Sequence, residues 1–288
     1  MKRISVVGLL AAFVLTMAAH DFAKAQVLED TPPRDNFFEK ENTKDRLPRP
    51  YVYVREADVY IKNRVWRMID FRLKMNQYFY YPIYPVQDRI SLMSLIIQGM
   101  EEGTIVAFDP ITDDFTKQLT YEEFIRQNTS ITELEKEDLD NPGTYYTTYD
   151  TSSFRVENVK MIRLKEDWFI DKQRSIRDIR ILGMAPVIQQ FDENTGEFKG
   201  TQTLFWLYYD YLRPLFAKTE SFNRHNSAMR PSYDDVFAWT RYFESYITKI
   251  DNQQDRSISQ YAQGIHVMLE AKRIENMLFE IEQDLWSY

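Results

Sequence analysis

Not one of the 288 residues is cysteine, and the chain opens with the features of an export signal. Met1, Lys2 and Arg3 give a positive start, Ile4 to Ala19 is free of charge, and Ala23-Lys24-Ala25 places small residues where a signal peptidase reads. Residues 1–25 are expected to be a signal peptide cleaved before Gln26. A membrane anchor fits less well, because the 16-residue apolar run is shorter than the ~20 residues a spanning helix needs. An exported chain without disulfides must be held by its apolar core. Aromatic residues at 15% supply large surfaces to bury, and the mean hydropathy of −0.50 leaves a well-solvated exterior.

Without cysteine there is no thiolate catalysis, thiolate metal site or lipid-modified amino terminus. Loss of residues 1–25 removes three cations and one acid, which moves the formal charge from −8 to −10. That balance argues against nucleic acid, whose phosphates select basic faces. Only His225 and His266 follow the signal, in different segments, so a zinc site would need carboxylates for its other ligands. The eight glycines are scattered singly and build no phosphate cradle. No Gly-x-Ser-x-Gly elbow is present. Asp109, Asp113 and Asp114 lack the spacing of a calcium loop and read as a solvated turn.

Residues 26–50 are polar, with Pro32, Pro33, Pro48 and Pro50, and read as an extended arm or linker. A globular region, 51–288, follows, divisible into halves 51–140 and 154–288 by the turn Asn141-Pro142-Gly143. Ile61, Val65, Ile69 and Leu73 recur every four residues and predict a helix over Ala57–Gln77. A short apolar helix ends near Gly103, and another opens at Thr120 with acids in its first turn. Strands are expected over 155–209, with a hairpin turning at residues 192–200. Ser232, Asp234 and Asp235 mark a helix start. The last helix carries Val267, Ala271, Ile274, Leu278, Ile281 and Leu285 on one stripe, suited either to its own domain or to a coiled-coil seam. The fold class is therefore α+β: mixed helices, an antiparallel sheet and a long amphipathic C-terminal helix.

Two segments are candidate partner interfaces. Tyr78, Tyr80 and Tyr81 sit in a proline-punctuated aromatic cluster, the composition of a half-buried contact surface; with Trp206 they could alternatively stack on a carbohydrate. In Glu166–Pro186, Trp168 and Phe169 precede Arg174, Arg177 and Arg180, arginines able to pair with carboxylates across a subunit boundary or within the domain. The many acidic residues leave a carboxylate hydrolase as a third reading without a specific signature.

Five long segments resemble the GldN/PorN proteins of gliding motility and type IX secretion: RPYVYVREADVYIKNRVWRMIDFR from Arg49, KEDWFIDKQRSIRDIRILGMAP from Lys165, LFWLYYDYLRPLFAKTESFNRHN from Leu204, RPSYDDVFAWTRYFESYI from Arg230, and the closing GIHVMLEAKRIENMLFEIEQDLWSY. The resemblance covers roughly Arg49 to Tyr288. It implies a structural, non-enzymatic subunit without cofactor or metal. Such a subunit self-associates in a ring with a GldK/PorK-like outer-membrane lipoprotein and contacts a GldM/PorM-like periplasmic shaft. It implies a place in the periplasm, at the inner face of the outer membrane, with membrane association only through the partner.

Overall fold

The computed structural model describes residues 45–86, 89–137, 145–152, 154–192, 196–224, 226 and 228–284, with backbone alone considered over 130–137 and 145–152. The signal segment, the arm up to Lys44, the turn Asn141-Pro142-Gly143, His225 and Leu285 lie outside these residues.

Eight strands form one antiparallel sheet. They are β1 (Val59–Asp70), β2 (Ala107–Phe108), β3 (Gln118–Leu119), β6 (Val159–Asp171), β7 (Ile176–Phe191), β8 (Phe198–Thr203), β9 (Trp206–Tyr208) and β10 (Tyr246–Ile250). Their order is β10-β1-β6-β7-β9-β2-β3, with β8 also pairing to β7. Strands from before and after residues 141–143 thus share a single sheet. A separate two-stranded ribbon joins β4 (Ser130–Glu137) to β5 (Tyr145–Ser152).

The long strand β1 corrects the helix expected over Ala57–Gln77. A spacing of four fits both periods, because i and i+4 share a face of a helix and also of a strand. Here β-branched and aromatic residues at Val59, Tyr60, Ile61, Val65, Trp66 and Ile69 decide for the strand. The strand pairs with β6 on one side and β10 on the other, so both faces are buried at its centre. Val65 and Ile69 point into apolar clusters on one face, Trp66 and Met68 on the other.

The helices are α1 (Gln77–Tyr80), α2 (Leu92–Glu101), α3 (Tyr121–Gln127), α4 (Tyr209–Lys218), α5 (Ile258–Tyr261) and α6 (Ile265–Asp284). Thr120 caps α3 in a reciprocal capping box with Glu123, as its sequence signature predicts. Residues Leu92, Ile96 and Met100 of α2 join Leu212 and Phe216 of α4 and Phe79 of α1 in the main core against the sheet. Sequence patterning gave no sign of α4, whose interior holds Pro214, a helix-breaking residue. The start marked by Ser232 and Asp235 opens a six-residue π-helix, Asp235–Thr240, which stops at Arg241 in the left-handed region (φ 49°). The run TQTLFWLYY, read as one strand, divides into β8 and β9 along the same edge of β7, interrupted where Leu204 N-H donates to the Pro186 carbonyl.

The C-terminal helix α6 packs its stripe within the chain. Ala271, Ile274 and Leu278 are buried with Val65, Trp168, Ile247 and Ile258.

Candidate interaction sites

The antiparallel pair β6–β7 carries the charge-rich segment and aims its side chains at three neighbours. At its inner end the Glu166 side chain is fully buried. Arg241 Nη2 donates to its Oε1 at 2.5 Å, Trp168 Nε1 donates to its Oε2 at 2.8 Å, and Arg67 Nη1 lies 4.0 Å from Oε2. Burial pushes the Arg67 guanidinium below its ordinary value, with Glu166 opposing that shift and Arg241 adding to it. Two guanidiniums flank the Trp168 ring, those of Arg67 at 5.6 Å and Arg177 at 5.2 Å. Arg177 continues outward to Glu282 of α6 at 3.1 Å, so one charged network joins β1, β6, β7, the end of the π-helix and α6.

At the β6–β7 turn, Ser175 adopts φ 50° and Arg174 bridges Asp171 (2.7 Å) and Asp178 (3.2 Å). The Asp171 carboxyl is held below the usual range chiefly by its hydrogen bond from Arg174. Phe169 is buried, and Arg180 lies 5.7 Å from its ring centre. The candidates Trp168, Phe169, Arg174, Arg177 and Arg180 therefore all have partners within the chain.

Arg180 also reaches the extended stretch before β1. Tyr51 lies between two guanidiniums, Arg180 at 4.2 Å and Arg213 at 4.1 Å from its ring centre. Arg180 donates to the Val52 carbonyl at 2.8 Å and Arg213 to the Arg49 carbonyl. Arg49 stacks on Trp239 at 4.4 Å, and Arg46 pairs with Asp235 at 2.5 Å. Beneath Tyr51, the buried pair Arg213–Asp234 (2.9 Å) anchors α4 to the π-helix. Burial pushes the Tyr51 phenol up to about 12, against the lowering effect of Arg213. Tyr51, Arg213, Trp239, Glu166 and Arg241 escaped sequence reasoning. The only sequence trace of this seat is arginine inside aromatic runs such as YDYLRPLF.

The tyrosine cluster folds around the cis peptide Tyr81-Pro82. Tyr78 and Tyr80 donate to the carbonyls of Tyr242 (2.6 Å) and Glu157 (3.0 Å), while Tyr81 is exposed. Trp206 is only 3% exposed and offers no stacking platform beside them. A second set of exposed apolar side chains lies on α6, away from its buried stripe and interspersed with Lys272, Asn276 and Gln283. At 100° per residue, Ile265, Met268, Leu269 and Phe279 share the outward face, and all are at least half exposed. Among the described residues no group of three or more His, Cys, Asp or Glu side chains could hold a metal ion. Among them, too, no helix is long and apolar enough to cross a membrane.

Comparison with curated proteins returns no match. The family model described as gliding motility associated protein GldN matches residues 54–287, a span that includes every strand and helix described above. The chain belongs to the GldN family of gliding motility associated proteins.

Proposed function

We propose that the protein is a structural, non-enzymatic subunit of a periplasmic ring in the type IX secretion and gliding machinery. It assembles with a GldK/PorK-like outer-membrane lipoprotein, contacts a GldM/PorM-like shaft and reaches the membrane through its partner. The observation that carries this reading is the set of four large apolar side chains that α6 exposes among polar ones on its outward side. A helix of a self-contained domain covers the side opposite its core with polar residues, whereas here Ile265, Met268, Leu269 and Phe279 stand outward beside Lys272, Asn276 and Gln283. Aromatic and methionine residues of this kind concentrate at protein contacts.

The charged network supports the same reading from within. By tying α6 to the sheet through Arg177–Glu282, it fixes the outward face in one orientation, which a repeated contact requires. Of the alternatives, carbohydrate binding loses three of its four aromatics: Tyr78 and Tyr80 are hydrogen-bonded to backbone carbonyls and Trp206 is buried.

The test is co-purification through a tag on the lipoprotein alone. The wild-type chain is retained, and Leu269→Glu with Phe279→Glu is lost from the eluate while remaining folded by circular dichroism. Retention of the doubly charged variant at wild-type yield would remove α6 as the contact.

A further inference from the structure

We infer that the free edge of β8 takes up an extended segment of a partner protein as an added antiparallel strand, and that an acidic side chain of that segment, opposite Thr203, pairs with Arg163. Strands β8 and β9 line the same edge of β7, but only β9 has a further strand, β2, on its outer side. Beside β8 the next place in the sheet is empty among the described residues. The ladder fixes which backbone groups face that place. Leu204 N-H donates to the Pro186 carbonyl, and Thr203 stands opposite Val187. By alternation Gln202 and Gly200 bond to β7, while the N-H and C=O of Thr201 and Thr203 point outward. Phe198, Lys199, Thr201 and Gln202 are exposed, which leaves this edge open. Native edges are commonly blunted by proline or charge. Strand β8 has no proline, and its one charge, Lys199, lies at the turn end, 4.0 Å from Asp192.

Arg163 supplies the choice of segment. It shares a face of the sheet with Met68 and Ala185, the face whose apolar clusters hold no helical residue. Its guanidinium leans toward the free edge, where Nη1 donates to Thr203 Oγ1 at 3.3 Å. The side chain is half-buried, and burial pushes it below its ordinary value. The cations around it are matched: Lys165 by Asp113, Lys249 by Asp255 and Arg72 by Asp70. Among the described residues Arg163 alone of these four has no carboxylate partner. In an antiparallel pair the residue opposite Thr203 shares its face, with Cα atoms about 5.5 Å apart. An aspartate or glutamate there meets the guanidinium that already reaches Thr203. One uncompensated charge suits one carboxylate better than a phosphate group carrying about −1.5 to −2. At the turn end of β8, Phe198 meets Phe191 edge-on at 6.0 Å, both more than half exposed, and offers the incoming strand an apolar contact. In strand addition of this kind the main-chain bonds give affinity and the side chains give specificity.

The probe is a fluorescein-labelled peptide, KTVEVTK, compared with the same peptide carrying glutamine at its centre. By anisotropy the wild-type chain binds the glutamate peptide about tenfold more tightly, as a hydrogen bond to a charged group contributes. Hydrogen exchange at the Thr201 and Thr203 amides slows on binding. Thr201→Pro keeps the β7–β8 bonds, because the Thr201 N-H points outward, yet ends binding. A peptide N-methylated at alternate residues loses the same bonds without any change to the protein. Arg163→Gln abolishes the preference for glutamate and leaves residual binding. No binding of either peptide by the wild-type chain overturns strand addition, as does undiminished binding by Thr201→Pro or of the N-methylated peptide. Equal affinity for the two peptides overturns Arg163 as the group that selects the segment. Displacement of the peptide by equimolar inorganic phosphate overturns a carboxylate as its occupant. The α6 contact is a separate surface, so each of these failures leaves the scaffold reading standing.

Discussion

Replacing Glu166 by alanine removes the one carboxylate that, among the described residues, lies within 4.0 Å of Arg67 and Arg241. The two guanidinium side chains are 14% and 18% exposed, and the Trp168 indole N-H loses its acceptor in the same step. Removing one partner of a buried ion pair costs about 3–5 kcal/mol, because the other charge stays behind desolvated. For a chain of this size each kcal/mol moves Tm by about 2–4 °C, so Glu166→Ala lowers Tm by ~6–20 °C. Urea unfolding followed by tryptophan fluorescence reads the loss directly, since Trp168 sits at the site. Glu166→Ala combined with Arg241→Ala removes both charges, and its cost falls short of the sum of the single changes by ~0.5–3 kcal/mol. A single-mutant cost below ~1 kcal/mol, or additivity within ~0.5 kcal/mol, would refute the buried network as the clamp between sheet and π-helix.

Leu269→Glu with Phe279→Glu leaves stability within about 0.5 kcal/mol per change, as for exposed positions, yet ends retention by the tagged lipoprotein; unchanged retention would place that contact elsewhere. The Tyr51 phenol, raised from 10.0 to about 12, binds its proton more tightly in the folded chain. Its contribution is therefore complete below pH 10 and is lost as pH rises toward 12. Urea midpoints of wild type and Tyr51→Phe separate across that window, and parallel profiles would contradict the burial of the phenol. Gly183→Ala places a methyl 2.5 Å from the Phe115 ring, whose loop supplies Asp113 to Trp66 (2.8 Å) and Lys165 (3.3 Å). Overpacking of this kind costs about 1–3 kcal/mol, measurable as a lower urea midpoint; a neutral substitution would mean that the loop moves freely.

Elements with strong local chemistry were legible from sequence. The α3 start follows from Thr120 and Glu123, whose side chains satisfy each other's backbone, and the α6 stripe from its spacing. The strand β1 was not legible because its apolar spacing fits two periods, and tertiary pairing with β6 and β10 settles the choice. The edge strand β10 gave no signal, since Tyr246–Ile250 is short and takes its place from β1. At the site, the importance of Glu166–Pro186 was visible in its density of charge, but the partners were not. Glu166 meets Arg241 across 75 residues and Arg213 meets Arg49 across 164, distances over which composition and periodicity carry no information. The exposed apolar residues of α6, Ile265, Met268, Leu269 and Phe279, are interrupted by Lys272, Asn276 and Gln283 and so make no apolar period of their own.

The most direct measurement is electron microscopy of the chain co-expressed with the GldK/PorK-like lipoprotein and purified through a tag on only one of them. A ring subunit gives closed rings containing both proteins, and Leu269→Glu with Phe279→Glu abolishes them. A dispersed monomer that ignores the lipoprotein, with the fold intact, would contradict assembly as what this protein does.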